Sequence, residues 1–282
     1  MSRPKQHHFV PRMLAEAFTD GEGWLHWCDT SIASSVLHRA RPEKLFTQGD
    51  LYTTRSHEGV IDNSVEVRFL GGVEHAAKPI LQEIISSARK GRLPDLGRWE
   101  RRDWMIFFLT QWRRTPEAQK SVIPDAEGFS ILREILQGAR QQVPHLEERV
   151  DELSSNGEMK RLLHNARTDT LARGSDQILS TLERRGIRIF TVSLPRKSLI
   201  IGSRPVVRFN AGERRHLSDP LVELWLPVAP DIAIGLGQGA AVDLVPATDE
   251  RQVRKLNRAL AGQSRFIAAN SAALVRSISR PR

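Results

Sequence analysis

The spacing of apolar residues switches from helical to strand-like at Gly186, and that switch restricts the chain to folds that combine both elements. From about Asp62 to Arg185 apolar side chains recur at helical spacing, as in Val73, Ala76, Ala77, Ile80, Leu81, Ile84 and Ile85, and again in Trp104, Phe107, Phe108 and Trp112. Such spacing gathers them on one helix face, which must be buried. Further helices are expected near 128–143, 145–164 and 167–185, with breaks at Pro124 and Pro144. Beyond Gly186 the apolar stretches are only strand-length: Ile187 to Val192, Leu199 to Ile201, Val206 to Phe209, Val222 to Leu226 and Ile232 to Leu236. A helix from Asp249 to Leu260 and a strand from Arg265 to Ala269 close the chain. Upstream, Gly23 to Asp29 and Ser34 to Arg39 read as two strands of a hairpin.

This order of elements predicts an α+β fold with an N-terminal hairpin, a central helical block and a C-terminal antiparallel or mixed sheet. We expect a single domain over residues 1–282, with strands in 1–60, helices in 61–186 and the sheet plus a final helix in 187–282. At 282 residues, 40% hydrophobic and 27% charged, the chain can bury a sizeable core and is not a disordered polymer. No apolar run approaches the roughly 20 residues that span a bilayer, and the opening MSRPKQHHFVPRM lacks the apolar core of a signal peptide. Cys28 is the single cysteine, which excludes an intramolecular disulfide and a cysteine-rich zinc site. The expectation is a cytoplasmic protein with no membrane association, no metal and no cofactor. Lys+Arg number 42, mostly arginine, against 33 Asp+Glu, for a net charge of +9. Arginine pairs two-pronged with phosphate, so this balance favours a polyanionic partner such as DNA; a GC-rich genome, which encodes arginine generously, is the plain alternative.

Five stretches carry candidate chemistry. In Gln6-His7-His8-Phe9-Val10-Pro11, Pro11 keeps Val10 extended and begins a helix through Phe18. Extended backbone sends His7 and His8 to opposite sides, so only one faces a given pocket and the pair is no two-ligand metal clamp. Phe107, Gln111 and Arg114 share a helix face that is otherwise apolar. Arg114 suits a phosphate or carboxylate and Gln111 a base edge, unless Arg113 and Arg114 only complement the helix C-terminal dipole. Glu74 follows Gly71-Gly72 near an apolar face, where a carboxylate either takes a structural arginine partner or does acid–base work. Gly202-Ser203-Arg204-Pro205 reads as a turn, with Ser203 and Arg204 projecting from a sheet end to bind rather than attack. Arg251, Arg254, Lys255 and Arg258 recur on one face of the final helix, with Val253, Leu256 and Leu260 on another. That basic face is either simply solvated or tracks nucleic-acid phosphates. The phosphate-binding G-x-x-x-x-G-K-[ST] loop, the H-E-x-x-H pair and a G-x-G-x-x-G turn are all missing.

Gln6 to Pro11, Lys44 to Tyr52, Gln111 to Pro116, Gly202 to Pro205 and Leu226 to Pro230 together resemble the landmarks of a bacterial family, the domain of unknown function 4238. The resemblance spans almost the whole chain. It is closest in the histidine-bearing opening and in the Q-x-x-R-T-P helix end, and it departs at Gly202 to Pro205, where Arg204 stands in place of an Asp-Asn pair. The resemblance implies an accessory role in bacterial defence, with removal of bases from phage DNA as the associated activity.

Together with the basic balance, this leads to an expected hydrolase, a metal-independent DNA glycosylase acting on a phage-modified base. His7 or His8 would orient substrate or water and Glu74 would be the acid–base group. Gln6, Tyr52, Gln111, Arg114, Ser203 and Arg204 would bind substrate, and Arg251, Arg254, Lys255 and Arg258 would contact DNA. Trp24, Trp27, Tyr52, Trp104 and Trp112 are either stacking groups for the base or core residues. The alternatives are a metal-dependent nuclease and a nucleic-acid-binding module without catalysis.

Overall fold

The computed structural model describes residues 5–32, 36–143, 145, 147–209, 216–237 and 241–279. The first half comprises β1 (Gln6–His8), α1 (Arg12–Ala17), β2 (Leu25–Asp29), β3 (His38–Ala40), β4 (Thr47–Gly49), β5 (Thr54–Arg55), β6 (Ile61–Asp62), α2 (Gly71–Arg89), α3 (Arg98–Arg113) and α4 (Pro116–Val122). The remainder comprises α5 (Asp125–Gln142), α6 (Glu147–Leu153), α7 (Asn156–Ala172), α8 (Asp176–Glu183), β7 (Ile187–Thr191), β8 (Ile201–Gly202), β9 (Val207–Phe209), β10 (Glu223–Ala229), β11 (Ile232–Leu236), β12 (Val242–Pro246), α9 (Glu250–Gln263), β13 (Phe266–Ala269) and α10 (Ala272–Ser279). The fold is α+β. Its described residues fall into two compact units, one drawn from 5–7, 49–72 and 116–174, the other from 8–48, 73–115 and 175–279.

The first unit is mainly helical. Leu136, Val150 and Met159 form a buried cluster where α5, α6 and α7 meet, with Phe129, Leu132, Ala139 and Leu153 packed against it. The apolar stripes therefore bury against one another, the usual source of stability for helices of this length. A single helix over 145–164 is not formed. Ser155 leaves the helical conformation and its side chain accepts from the Glu158 amide, which ends one helix and caps the next. Pro144 lies outside the described residues. α7 also holds β5, since Arg161 Nη1 and Asn165 Nδ2 donate to the Arg55 carbonyl at 2.6 and 2.7 Å.

The second unit holds two sheets. A mixed five-stranded sheet has the order β12-β7-β11-β10-β9, in which only β12 and β7 run parallel. All five residues of β11 are buried, so the middle of this sheet is covered on both faces. Gly235 in β11 lies opposite Trp225, and a Cβ there would come within 2.6 Å of the indole. The second sheet, β3-β2-β13-β8, joins the N-terminal hairpin to the end of the chain, with Phe266 opposite Asp29 and Leu25 opposite Ala40. The hairpin pairs as expected, through shorter strands; Ser34 and Ser35 lie outside the described residues.

Beyond Gly186, two elements exceed the sequence pattern. β12 alternates exposed and half-buried residues around Asp243, so it shows no apolar run, and α10 follows β13 where the apolar pattern ends in a strand. Gly71 and Gly72 do not interrupt their helix. Val65–Leu70 is π-helical and passes directly into α2, with Gly71 at φ −60° and ψ −42°. α9 runs three residues beyond Leu260, with Asp249 as its cap accepting from the Arg251 and Gln252 amides at 2.7 and 3.0 Å. Among the described residues no helix is long and apolar enough to cross a membrane.

Candidate functional site

The end of α3 organises a polar cluster in the second unit. Trp104, Phe107 and Phe108 bury the helix, and the same face carries Gln111 and Arg114 into the interior. Arg114 is the C-cap residue, its amide bonded to the Thr110 carbonyl at 2.9 Å, and its side chain is 1% exposed. A buried guanidinium needs anionic or carbonyl acceptors on its fork. Arg114 finds both: Nη1 donates to Glu74 Oε1 at 2.6 Å and Nη2 donates to the His8 carbonyl at 2.5 Å. Glu74, in the first turn of α2, stays 31% exposed, so one carboxylate oxygen is fixed by a buried cation while the side chain still meets solvent.

His8 sits beside this pair. Its ring Nε2 lies 3.3 Å from the Pro42 carbonyl, which can only accept, so the proton is assigned to Nε2 and the lone pair to Nδ1. Burial pushes the His8 pKa below 6.5; the Pro42 bond and the Glu74 charge oppose that shift, while Arg114 and Arg12 add to it. The ring is therefore neutral near pH 7. Its Nδ1 is the basic atom of the cluster.

His7 takes the other side of the strand, as extended backbone requires, and is fully buried in the first unit. The Tyr52 amide donates to His7 Nδ1 at 3.0 Å, and the two rings stack 5.7 Å apart at 9°. Tyr52 is likewise fully buried, so both side chains are packing groups in this conformation, and Gln6 is exposed at the strand start. Of the two histidines, His8 joins Glu74 and Arg114.

The Gly202 turn differs from expectation. Ser203 does not project outward: it is buried, and its Oγ accepts from the Arg265 and Phe266 amides at 3.0 and 3.3 Å. The Arg204 carbonyl accepts from Gln263 Nε2 at 2.6 Å and its amide donates to Ser264 Oγ at 3.2 Å, so the turn clips α9 and β13 together. The hydroxyl and the backbone are used by the fold; the Arg204 side chain is half-buried. On α9, Val253, Leu256 and Leu260 are buried while Arg251, Arg254, Lys255 and Arg258 are all exposed. Those four cations line one side of an open cavity of about 490 Å³ with Phe209 and Ala259, and Lys255 Nζ lies 5.1 Å from the Phe209 ring.

Gln111 is fully buried, and neither of its amide atoms is hydrogen-bonded among the described residues. Of the tryptophans considered for stacking, Trp104 is core, Trp27 stacks on His38 at 4.7 Å, and Trp24 lies under the Arg41 and Arg39 guanidiniums at 4.0 and 4.8 Å. The most exposed indole is a different one, Trp99 at 69%. Among the described residues no group of three or more His, Cys, Asp or Glu is placed to hold a metal ion. A family model described as "Protein of unknown function (DUF4238)" matches residues 6–273. No curated protein matches the chain, and no solved structure does.

Proposed function

The chain belongs to the DUF4238 family, and with no activity attached to that description we propose one from the cluster itself: metal-independent hydrolysis of the N-glycosidic bond of a base in DNA, the base being a phage-modified one. The observation that carries this reading is the Glu74 carboxylate, anchored through one oxygen by buried Arg114 and still solvent-accessible beside a neutral His8.

The chemistry needs little else. The bond from C1′ to the base nitrogen breaks with its electron pair leaving on the base, and water supplies the oxygen that bonds to C1′. Glu74 faces the positive charge that develops on the sugar, as one carboxylate of a glycoside hydrolase does. His8 Nδ1 accepts the proton of the attacking water, and the leaving base takes up a proton in turn, so the products are free base and an abasic sugar. Arg114 is a positioning residue, since it acts by fixing Glu74 and the His8 backbone. The basic face of α9 supplies sequence-independent phosphate contacts.

The test is product analysis on duplex DNA with EDTA or with magnesium. Alkali-labile abasic sites formed in EDTA are expected. Strand cleavage that requires magnesium would replace this reading with a nuclease, and stable binding without product would replace it with a binding module.

A further inference from the structure

One face of the five-stranded sheet is paved with aromatic rings and carries a cavity lined by no residue of the Glu74 cluster. Arg188 and Phe190 in β7, and Glu223 and Trp225 in β10, alternate onto this face, and Phe209 at the end of β9 stands opposite Glu223. Between β7 and β10 the residue opposite both Arg188 and Trp225 is Gly235 of β11. It has no side chain, so the indole lies close against the β11 backbone. The cavity has a volume of about 220 Å³, and these five side chains line it together with Lys255 of α9. Pockets for drug-sized ligands run to roughly 300–1,000 Å³, so this one suits a single planar ring system.

Floor and rim differ in chemistry. Phe190 and Trp225 are buried and form the floor, whereas Arg188, Phe209 and Glu223 are half-buried and Lys255 is exposed. Arg188 lies 5.9 Å from the indole and Lys255 Nζ 5.1 Å from the Phe209 ring, and neither cation has a hydrogen bond or ion pair among the described residues. Glu223 Oε2 accepts from Trp225 Nε1 at 3.2 Å, which places a carboxylate on the cavity wall and disfavours an anion inside it. Past Phe209 and Lys255, which line both, this cavity adjoins the one of about 490 Å³ that carries Arg251, Arg254 and Arg258 and no carboxylate. A neutral planar group therefore fits the first cavity and an anion the second. Joined through Phe209 and Lys255, the two match the base and the phosphate of one nucleotide, the combination by which proteins hold unpaired strands.

We propose that this paired cavity binds an unpaired DNA nucleotide, its base against Phe209 on the sheet face and its phosphate on the arginines of α9. No histidine lines the cavity and its one carboxylate is engaged by the indole, so the base is held there and not removed. The inference rests on the reading of α9 as a phosphate-contacting face and is independent of the chemistry at Glu74. The nucleotide comes either from a strand or as a free monophosphate, and the two sources share this recognition.

Fluorescence anisotropy with the full chain decides it, using three labelled probes at one salt concentration: a single-stranded oligodeoxynucleotide, a strand of equal length made only of abasic sugar-phosphates, and a duplex. The base-bearing strand is expected to bind about tenfold or more tighter than the abasic one, because only it can stack. Phe209→Ala should abolish that difference and leave duplex affinity unchanged; Phe209→Leu, which keeps the bulk without the aromatic face, serves if the alanine variant fails to fold. An unlabelled deoxynucleoside 5′-monophosphate that competes as tightly as the strand identifies the free nucleotide as the source, and weaker competition identifies the strand. Equal binding of base-bearing and abasic strands, or a difference that persists in both Phe209 variants, overturns the proposal. If duplex binding survives in that case, the phosphate-contacting role of α9 stands without it; no binding of any probe removes both.

Discussion

Removing Arg114 should destabilise the second unit more than removing its partner Glu74, because the two ends of their ion pair are buried unequally. The arginine side chain is 1% exposed and the glutamate 31%. Arg114→Met keeps most of the buried stem but deletes two charge-assisted hydrogen bonds, to Glu74 Oε1 at 2.6 Å and to the His8 carbonyl at 2.5 Å. Each such bond contributes about 1.5–3 kcal/mol, and the glutamate end is discounted because its carboxylate can return to water, so a loss of about 3 kcal/mol is expected. Glu74→Gln retains a neutral acceptor on the fork and leaves the His8 bond intact, so its cost is about 1 kcal/mol. The double variant should fall short of the sum by roughly 1 kcal/mol, the signature of direct contact. Urea unfolding followed by tryptophan fluorescence is the assay. All six tryptophans, at 24, 27, 99, 104, 112 and 225, lie in the second unit, so the signal reports on the unit that holds the pair. Equal losses for the two single variants, or strict additivity, would refute the reasoning.

Three further outcomes are expected. His8 has a native pKa below 6.5, so as pH falls the unfolded chain takes up its proton first; stability should drop below about pH 6.5 and level off once the native ring is protonated, and His8→Gln should remove that component from urea midpoints measured across the range. Gly235→Ala forces a Cβ to within 2.5 Å of the Leu224 carbonyl and 2.6 Å of the Trp225 ring, so a loss of about 1–3 kcal/mol is expected, and an unchanged melting temperature would show that β10 and β11 relax without strain. Reversing Arg254 and Arg258 to glutamate on α9 should weaken duplex DNA binding for every sequence and flatten the dependence of log affinity on log salt by about 0.9 for each phosphate the helix ceases to neutralise, whereas an unaltered slope means the helix does not touch DNA.

Period and capping make the secondary structure largely legible, because both act within a few residues. The stripe through Trp104, Phe107 and Phe108 is buried, and α9 carries its apolar and basic faces where the spacing puts them. Ser155 shows the limit: a cap residue inside an apparently continuous pattern ends a helix that period alone would extend. Long-range pairing leaves no local trace, so nothing in the hairpin announces that β2 pairs with β13 more than two hundred residues later. The cluster is half visible. The helical spacing of Gln111 and Arg114 signals buried polar groups in need of partners, but that Arg114 meets Glu74 forty residues away depends on how α2 and α3 pack. The opposite alternation of His7 and His8 follows from extended backbone, while which of them is enclosed is decided by Tyr52. Ser203 defies the local pattern because a turn between strands is usually solvent-facing, and here its hydroxyl satisfies two amides of a neighbouring segment.

The central claim, that a Glu74 carboxylate held by Arg114 drives loss of a base from DNA, is tested most directly by measuring free base. Duplex DNA carrying phage-type base modifications is incubated with the protein in EDTA, and released base is quantified by mass spectrometry against abasic sites in the same sample, for the native chain and for Glu74→Gln. The account predicts one free base per abasic site from the native chain and a fall of about 10²-fold or more with Glu74→Gln in a variant that remains folded. No free base from the native chain, or full release by Glu74→Gln, would contradict it.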